Sequence, residues 1–125
     1  MNLRSFETPR RRRAPESWRH RLGGNDVDAP WTLVVSLKAN CESCQSFSRV
    51  DPGALVPLRL VLVSRESVDW TDFETPVRVD PELVEDLQIT GAPYYAVIDS
   101  NDWVVAEGAV FDVHQILAEV LPLLV

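Results

Sequence analysis

Two cysteines, Cys41 and Cys44, are the residues of this 125-residue chain best suited to do chemistry. They stand in the run Cys41-Glu42-Ser43-Cys44, and two thiols at that spacing can pass between dithiol and disulfide. Directly before them lies WTLVVSL, residues 31–37, a β-branched and almost continuously apolar run that suits a buried strand. From Cys41 to about Val50 the sequence reads as a helix, with Asn40 offering an N-cap oxygen and Asp51-Pro52-Gly53 stopping it. A helix N-terminus presents free N–H groups and a partial positive charge, which favours a thiolate there. Cys41 is therefore the candidate nucleophile. Cys44, one turn later on the same face, is placed to resolve a mixed disulfide. Glu42 works against this as a tuning residue, because a carboxylate beside the thiolate opposes its ionisation. A less stabilised thiolate makes the reduced form less favoured, so a reducing potential is expected.

Two blander readings of the cysteines stay open. They could be inert buried thiols, since free cysteine packs as a small apolar residue. They could also belong to a zinc site, which wants four tetrahedral ligands. Only His20 and His114 remain as further nitrogen ligands, without ligand spacing, so no metal is expected. A second candidate feature is Gly91-Ala92-Pro93-Tyr94, just before a strand. Proline there can hold a cis peptide bond or simply start the strand, and the spacing does not choose between them.

The elements that must position these residues follow from periodicity. A second buried strand is expected at residues 58–64 (LRLVLVS), parallel to the first because a helix intervenes. Residues 65–79 are mixed and polar, with at most a short strand at 77–79. Asp80-Pro81 opens a helix that carries Leu83, Val84 and Leu87 on one face and ends near Gly91. Residues 94–99 and 103–107 form an antiparallel hairpin around Ser100-Asn101-Asp102. Asp112 caps a last helix, which Pro122 should end or bend. The expected body is a small mixed four-stranded sheet, a parallel βαβ unit plus an antiparallel hairpin, flanked by helices.

Composition agrees with one folded domain: 46% of the residues are hydrophobic and 25% charged, which supports a core. The net charge of -7 is unevenly spread. Residues 1–21 carry seven arginines against Glu7 and Glu16, a balance of +5, while residues 22–125 carry five basic and seventeen acidic side chains, a balance of -12. Residues 1–30 lack periodicity and are read as a basic, mobile arm preceding a domain at 31–125. Such an arm could touch nucleic acid, anionic lipid or the acidic body itself, and no specific nucleic-acid partner is expected. No stretch reaches the ~18 apolar residues of a membrane span, and no apolar h-region follows the arginines. The expected location is the cytoplasm, where a thiol pair is more often redox-active than structural. A shortened form of an exported or anchored protein is the alternative.

A strand, C-x-x-C opening a helix, a second strand, a helix, then Gly-x-Pro feeding a hairpin and a last helix together resemble thioredoxin. Residues 91–108 (GAPYYAVIDSNDWVVAEG) are similar to that family's cis-proline loop, hairpin and following glycine. The likeness spans about residues 31–121 and is greatest to small thioredoxin-like and TlpA-like disulfide reductases. It implies an α/β thioredoxin-like fold and thiol–disulfide exchange, with Cys41 attacking, Cys44 resolving and Pro93 in cis beside them. It also implies that Ala92 offers its backbone to an extended substrate segment. The sequence departs from the family in the first helix, cut short by Pro52, in residues 1–30, where its first strand and helix have no clear match, and at three places in the site. Asn40 replaces the usual tryptophan, Glu42-Ser43 replaces Gly-Pro, and the buried acid that accepts a proton aligns with Val35. The function expected is a protein-disulfide reductase or redox carrier, with no bound cofactor and a separate reductase to recycle it. The alternative is a non-catalytic thioredoxin-fold interaction module with a redox-sensitive cysteine pair.

Overall fold

The structure, a computed structural model, describes residues 12–15, 17–18 and 30–124. Its centre is strand β2 (Trp31–Leu37), whose side chains alternate between two cores despite their uniformly apolar appearance. Leu33, Val35 and Leu37 enter one core and Val34 the other, as the two-residue period of a strand requires. Strand β3 (Leu58–Ser64) lies parallel to β2, with Trp31 opposite Leu58 and Leu37 opposite Ser64. Strand β5 (Tyr94–Asp99) lies antiparallel on the other side, with Ser36 opposite Tyr94. Both neighbours bury the middle of β2, and its ends set where the cysteines begin.

Among the described residues the sheet has six strands rather than the expected four, in the order β1 (Arg12–Arg13), β6 (Trp103–Ala109), β5, β2, β3, β4 (Val77–Val79). Strand β4 (Val77–Val79) adds a short parallel edge to β3. Strand β6 (Trp103–Ala109) completes the hairpin, and β1 (Arg12–Arg13) closes the far edge antiparallel to it. Strand β4 is the short strand allowed for at 77–79, whereas β1 is two arginines with no apolar residue to mark it.

The reading of residues 1–30 as an arm outside the domain fails for the described part of that segment. Ala14 and Trp18 are buried in the second core, Trp18 at 1% exposure. The Trp18 indole N–H donates to Asp102 Oδ1 at 2.9 Å, and the Ala14 N–H donates to the Asp102 carbonyl at 2.7 Å. Arg12 forms a two-bond pair with Glu107, at 3.1 and 2.7 Å, and Arg13 lies over the Trp103 ring. Contact with the acidic body is thus what Arg12 and Arg13 make. The arm's other arginines and His20 lie outside the described residues.

Helices are shorter than their sequence patterns suggest. Helix α1 (Glu42–Gln45) is a single turn rather than a run to Val50, and the chain continues in three-residue hydrogen-bonded turns. Ser43, Ser46 and Ser48 are weak helix formers that bond locally, and the Ser46 hydroxyl donates to the Ser43 carbonyl. A 3₁₀ turn at Pro52–Leu55 leads into β3. Helix α2 (Pro81–Asp86), capped by Asp80, ends before Gly91 because Gln88 adopts φ 59°. The Ile89 N–H then reaches back to the Val84 carbonyl and the Gln88 N–H to Glu85, closing the helix. The C-terminal helical segment runs through α3 (Val113–Gln115), a π stretch (Ile116–Val120) and α4 (Leu121–Leu124). Pro122 has no N–H and crowds the carbonyl four residues back, and the ladder widens just before it rather than ending.

Candidate functional site

The site is built where β2 ends. Its last residues lead through Lys38, Ala39 and Asn40 to the cysteines. Asn40 takes φ 55°, a left-handed conformation that asparagine tolerates better than most residues and that turns the chain out of the sheet. Asn40 is therefore a turn residue and not the cap expected of it. The N-cap is Cys41, with extended backbone, and its Sγ accepts the Cys44 N–H at 3.1 Å. With only one helical turn beneath it, Cys41 gains little from a macrodipole, and the Cys44 N–H is the donor placed directly on its sulfur.

The two cysteines differ sharply in surroundings. Cys41 is half-buried, whereas Cys44 is fully buried in the core of Leu37, Phe47 and Tyr95. Both carry free thiols. The Lys38 N–H donates to Cys44 Sγ at 3.4 Å. Burial pushes the Cys44 thiol up from 9.0 to about 12, and its hydrogen bond with Cys41 adds to that; the Lys38 backbone bond and charge act in the other direction. Cys44 is thus held as a protonated thiol next to a more accessible partner. Glu42 is exposed at the first helical position. Val35 is fully buried in the same core, opposite Tyr95.

The Gly91-Ala92-Pro93 loop arrives beside the end of β2. The Ala92–Pro93 peptide bond is cis, as is Val56–Pro57, and the Pro93 carbonyl accepts the Val110 N–H at 3.3 Å. Between this loop and the ends of β2 and β3 lies a cleft of about 270 Å³ lined by Leu37, Lys38, Arg65, Glu66, Gly91 and Ala92 among others. Ala92 is half-buried along its wall. Lys38 joins the two halves of the site, since its backbone serves Cys44 and the residue lines the cleft.

Glu66 is a site residue that motif reading missed. Its Oε1 accepts the Ala39 N–H at 2.6 Å, and its carbonyl accepts the Trp70 indole N–H at 3.0 Å. The β3–β4 loop is thereby fastened to the segment that carries the cysteines, a second fastening being the Glu74 N–H on the Ser48 carbonyl at 2.8 Å. A signal was available: the two buried runs pair in parallel at an offset of 27 residues, and Ala39 and Glu66 share that separation. Among the described residues, no group of three or more His, Cys, Asp or Glu side chains converges on a metal position. His114 is exposed on the last helical segment.

Comparison with known proteins shows similarity in solved structures alone. The chain resembles the C-terminal domain of an uncharacterized protein from Bacteroides fragilis, at 23% identity and a TM-score of 0.50, covering 73% of this chain and 80% of that one. It also resembles the thioredoxin domain of a thiol-disulfide oxidoreductase from Bacteroides vulgatus, at 18% identity and a TM-score of 0.47, covering 66% of this chain and 72% of that one. No protein-family model matches the chain, and no curated protein does. The likeness is one of fold. A parallel β2–β3 pair, the antiparallel β5–β6 hairpin, and a dithiol at the end of the central strand give the chain a thioredoxin-like fold.

Proposed function

We propose that the protein is a thiol–disulfide oxidoreductase acting on protein disulfides. The observation that carries this reading is the asymmetry of the pair: Cys41 is accessible and receives an N–H on its sulfur, while Cys44 is buried and protonated one turn away. The Cys41 thiolate attacks one sulfur of a substrate disulfide, forming a mixed disulfide and releasing the other sulfur as thiolate. Cys44 then gives up its proton and attacks the Cys41 sulfur. The second substrate sulfur leaves, both substrate sulfurs are reduced, and the protein holds a Cys41–Cys44 disulfide. Two electrons have passed to the substrate, and a dithiol reductase must return them.

Ala92, which lines the cleft, and Pro93, which follows it through the cis bond, are assigned to the backbone of the bound substrate segment. A reducing, thioredoxin-side potential belongs to the same reading. The burial that holds Cys44 protonated gives its thiolate little stabilisation, which disfavours the dithiolate side of the couple. Equilibration with glutathione measures it, and a strongly oxidising value would contradict that assignment. A reducing compartment such as the cytoplasm suits the cycle. Among the described residues no helix is long and apolar enough to cross a membrane.

The test is trapping. A Cys44→Ser protein should accumulate mixed disulfides through Cys41, visible as reductant-sensitive adducts, and a Cys41→Ser protein should not. Retention of partners by a protein lacking both cysteines, with no adducts from Cys44→Ser, would instead identify an interaction module.

A further inference from the structure

The cleft lined by Lys38, whose N–H donates to the Cys44 sulfur, has a net charge opposite to that of the body around it. Residues 22–125 hold five basic side chains against seventeen acidic ones, yet two of the five, Lys38 and Arg65, line this one cleft. Its acidic lining residue, Glu66, spends an oxygen on the Ala39 N–H. Arg65 donates from Nη2 to the Ile89 carbonyl at 3.2 Å, which steadies the guanidinium at the wall. Its other contact is Glu85 at 4.0 Å, an exposed pair that water screens. Lys38 is the chain's one lysine, and its charge reaches the Cys44 sulfur. Glu66 keeps its charge, so with Lys38 and Arg65 the lining carries a net +1, and a concave site whose net charge is opposite to that of the body concentrates ligands of the body's sign.

We propose that this cleft selects polypeptide disulfides flanked by an acidic side chain, whose carboxylate sits between Lys38 and Arg65. The inference rests on the oxidoreductase reading for the identity of the reacting group. The extended segment passes Ala92 with its disulfide at Cys41, and the neighbouring acidic residue reaches the cationic wall. The carboxylate takes no part in bond making. The two electrons go from the dithiol to the substrate disulfide as before, and the contact acts on binding. Arginine suits this role through its planar set of donors and lysine as a mobile point charge.

Three disulfide peptides differing only in a Glu, Gln or Lys two residues from the cysteine provide the test. Reduction of the Glu peptide should exceed that of the Gln peptide by about 10-fold in kcat/KM, chiefly through KM, with the Lys peptide slower still. The preference should shrink as salt rises from about 0.05 to 0.5 M and collapse in a Lys38→Gln/Arg65→Gln protein. Equal reduction of all three peptides would overturn the proposal and leave the oxidoreductase reading intact. Binding is measured separately, with a Cys41→Ser/Cys44→Ser protein and peptides carrying Ser for Cys. The Glu peptide should bind about 10-fold more tightly than the Gln peptide, and equal affinities would overturn the proposal whatever the turnover. Glutathione disulfide, a small carboxylate-bearing disulfide, is the last arm. Preference for it over every peptide would remove the polypeptide as the occupant.

Discussion

Titrating stability between pH 8 and pH 10 isolates the buried thiol of Cys44. In the folded protein that thiol is pushed to about 12, chiefly by burial, against an ordinary 9.0 once the chain unfolds. Above pH 9 the unfolded state therefore loses a proton that the folded state keeps. Fewer protons bound in the unfolded state means that stability falls as pH rises. The contribution is fully present below about pH 9 and is lost on the way to 12. Between pH 8 and pH 10 the loss amounts to about 1.4 kcal/mol, from RT ln(1 + 10) at the upper pH. That figure barely depends on the folded value, provided it stays at 11 or above. The Tyr94 hydroxyl, also raised to about 12 by burial and by Glu107, contributes mainly above pH 10, which sets the upper limit of the experiment. The assay is urea unfolding under strong reductant at pH 8, 9 and 10, for the natural sequence and for Cys44→Ala. The natural protein should lose about 1.4 kcal/mol more than the variant over this range. Parallel losses in the two proteins would refute the assignment of Cys44 as a buried, protonated thiol.

Three further outcomes follow from the packing. Trp18→Ala should cost about 3–5 kcal/mol in urea unfolding, since the ring is buried and its N–H is held by Asp102; a loss under 1 kcal/mol would return this segment to a surface arm. Asp80→Ala should cost about 1 kcal/mol by freeing the Leu83 N–H of α2, with no effect on the reaction of Cys41 with a thiol reagent. Gly91→Ala should leave stability within about 0.5 kcal/mol, because an added Cβ meets nothing within 4 Å. Any fall in kcat/KM for that variant then reports substrate in the cleft, which Gly91 lines.

Sequence patterns found what rests on local pattern and missed what rests on long-range partners. The buried runs of β2 and β3, the hairpin and the Asp80 and Asp112 caps each have a signature within a few residues, and all form. Strand β1 has none: Arg12 and Arg13 look like an exposed basic block until Glu107, 95 residues away, supplies the counter-charge. Trp18 has only Ala14 and Leu22 as apolar neighbours at helical spacing, in a segment dominated by arginine and proline, so its burial is not legible until the second core is seen to receive it. Gln88 ends α2 in a conformation usually given to glycine, and the contact of Ile89 with the Val84 side of the core makes that end worthwhile. At the site, the spacing identified both cysteines, but the cap went to Cys41 rather than Asn40. The position of a cap depends on where the left-handed turn falls, and either residue could have taken it.

The combination of Val35 and Cys44 has a kinetic consequence for the proposed cycle. In the second step Cys44 must lose a proton from a fully buried thiol, and Val35, buried in the same core, offers no acceptor for it. Loss of Cys41 as a thiol partner removes one cause of the raised value, but burial, the larger cause, remains. The substrate thiolate released in the first step is then the nearest base generated by the reaction itself. Resolution should accordingly slow when that thiolate diffuses away or carries a low pKa, and the mixed disulfide should persist in the natural protein as well as in Cys44→Ser. Rapid quenching should show slower decay of the mixed disulfide with an alkyl aryl disulfide than with a dialkyl one, because attack at the alkyl sulfur leaves the same alkyl mixed disulfide in both cases but releases a weakly basic aryl thiolate in the first. A Val35→Glu or Val35→Asp protein that still folds should abolish the difference. Equal decay with both disulfides in the natural protein would show that another group takes the proton.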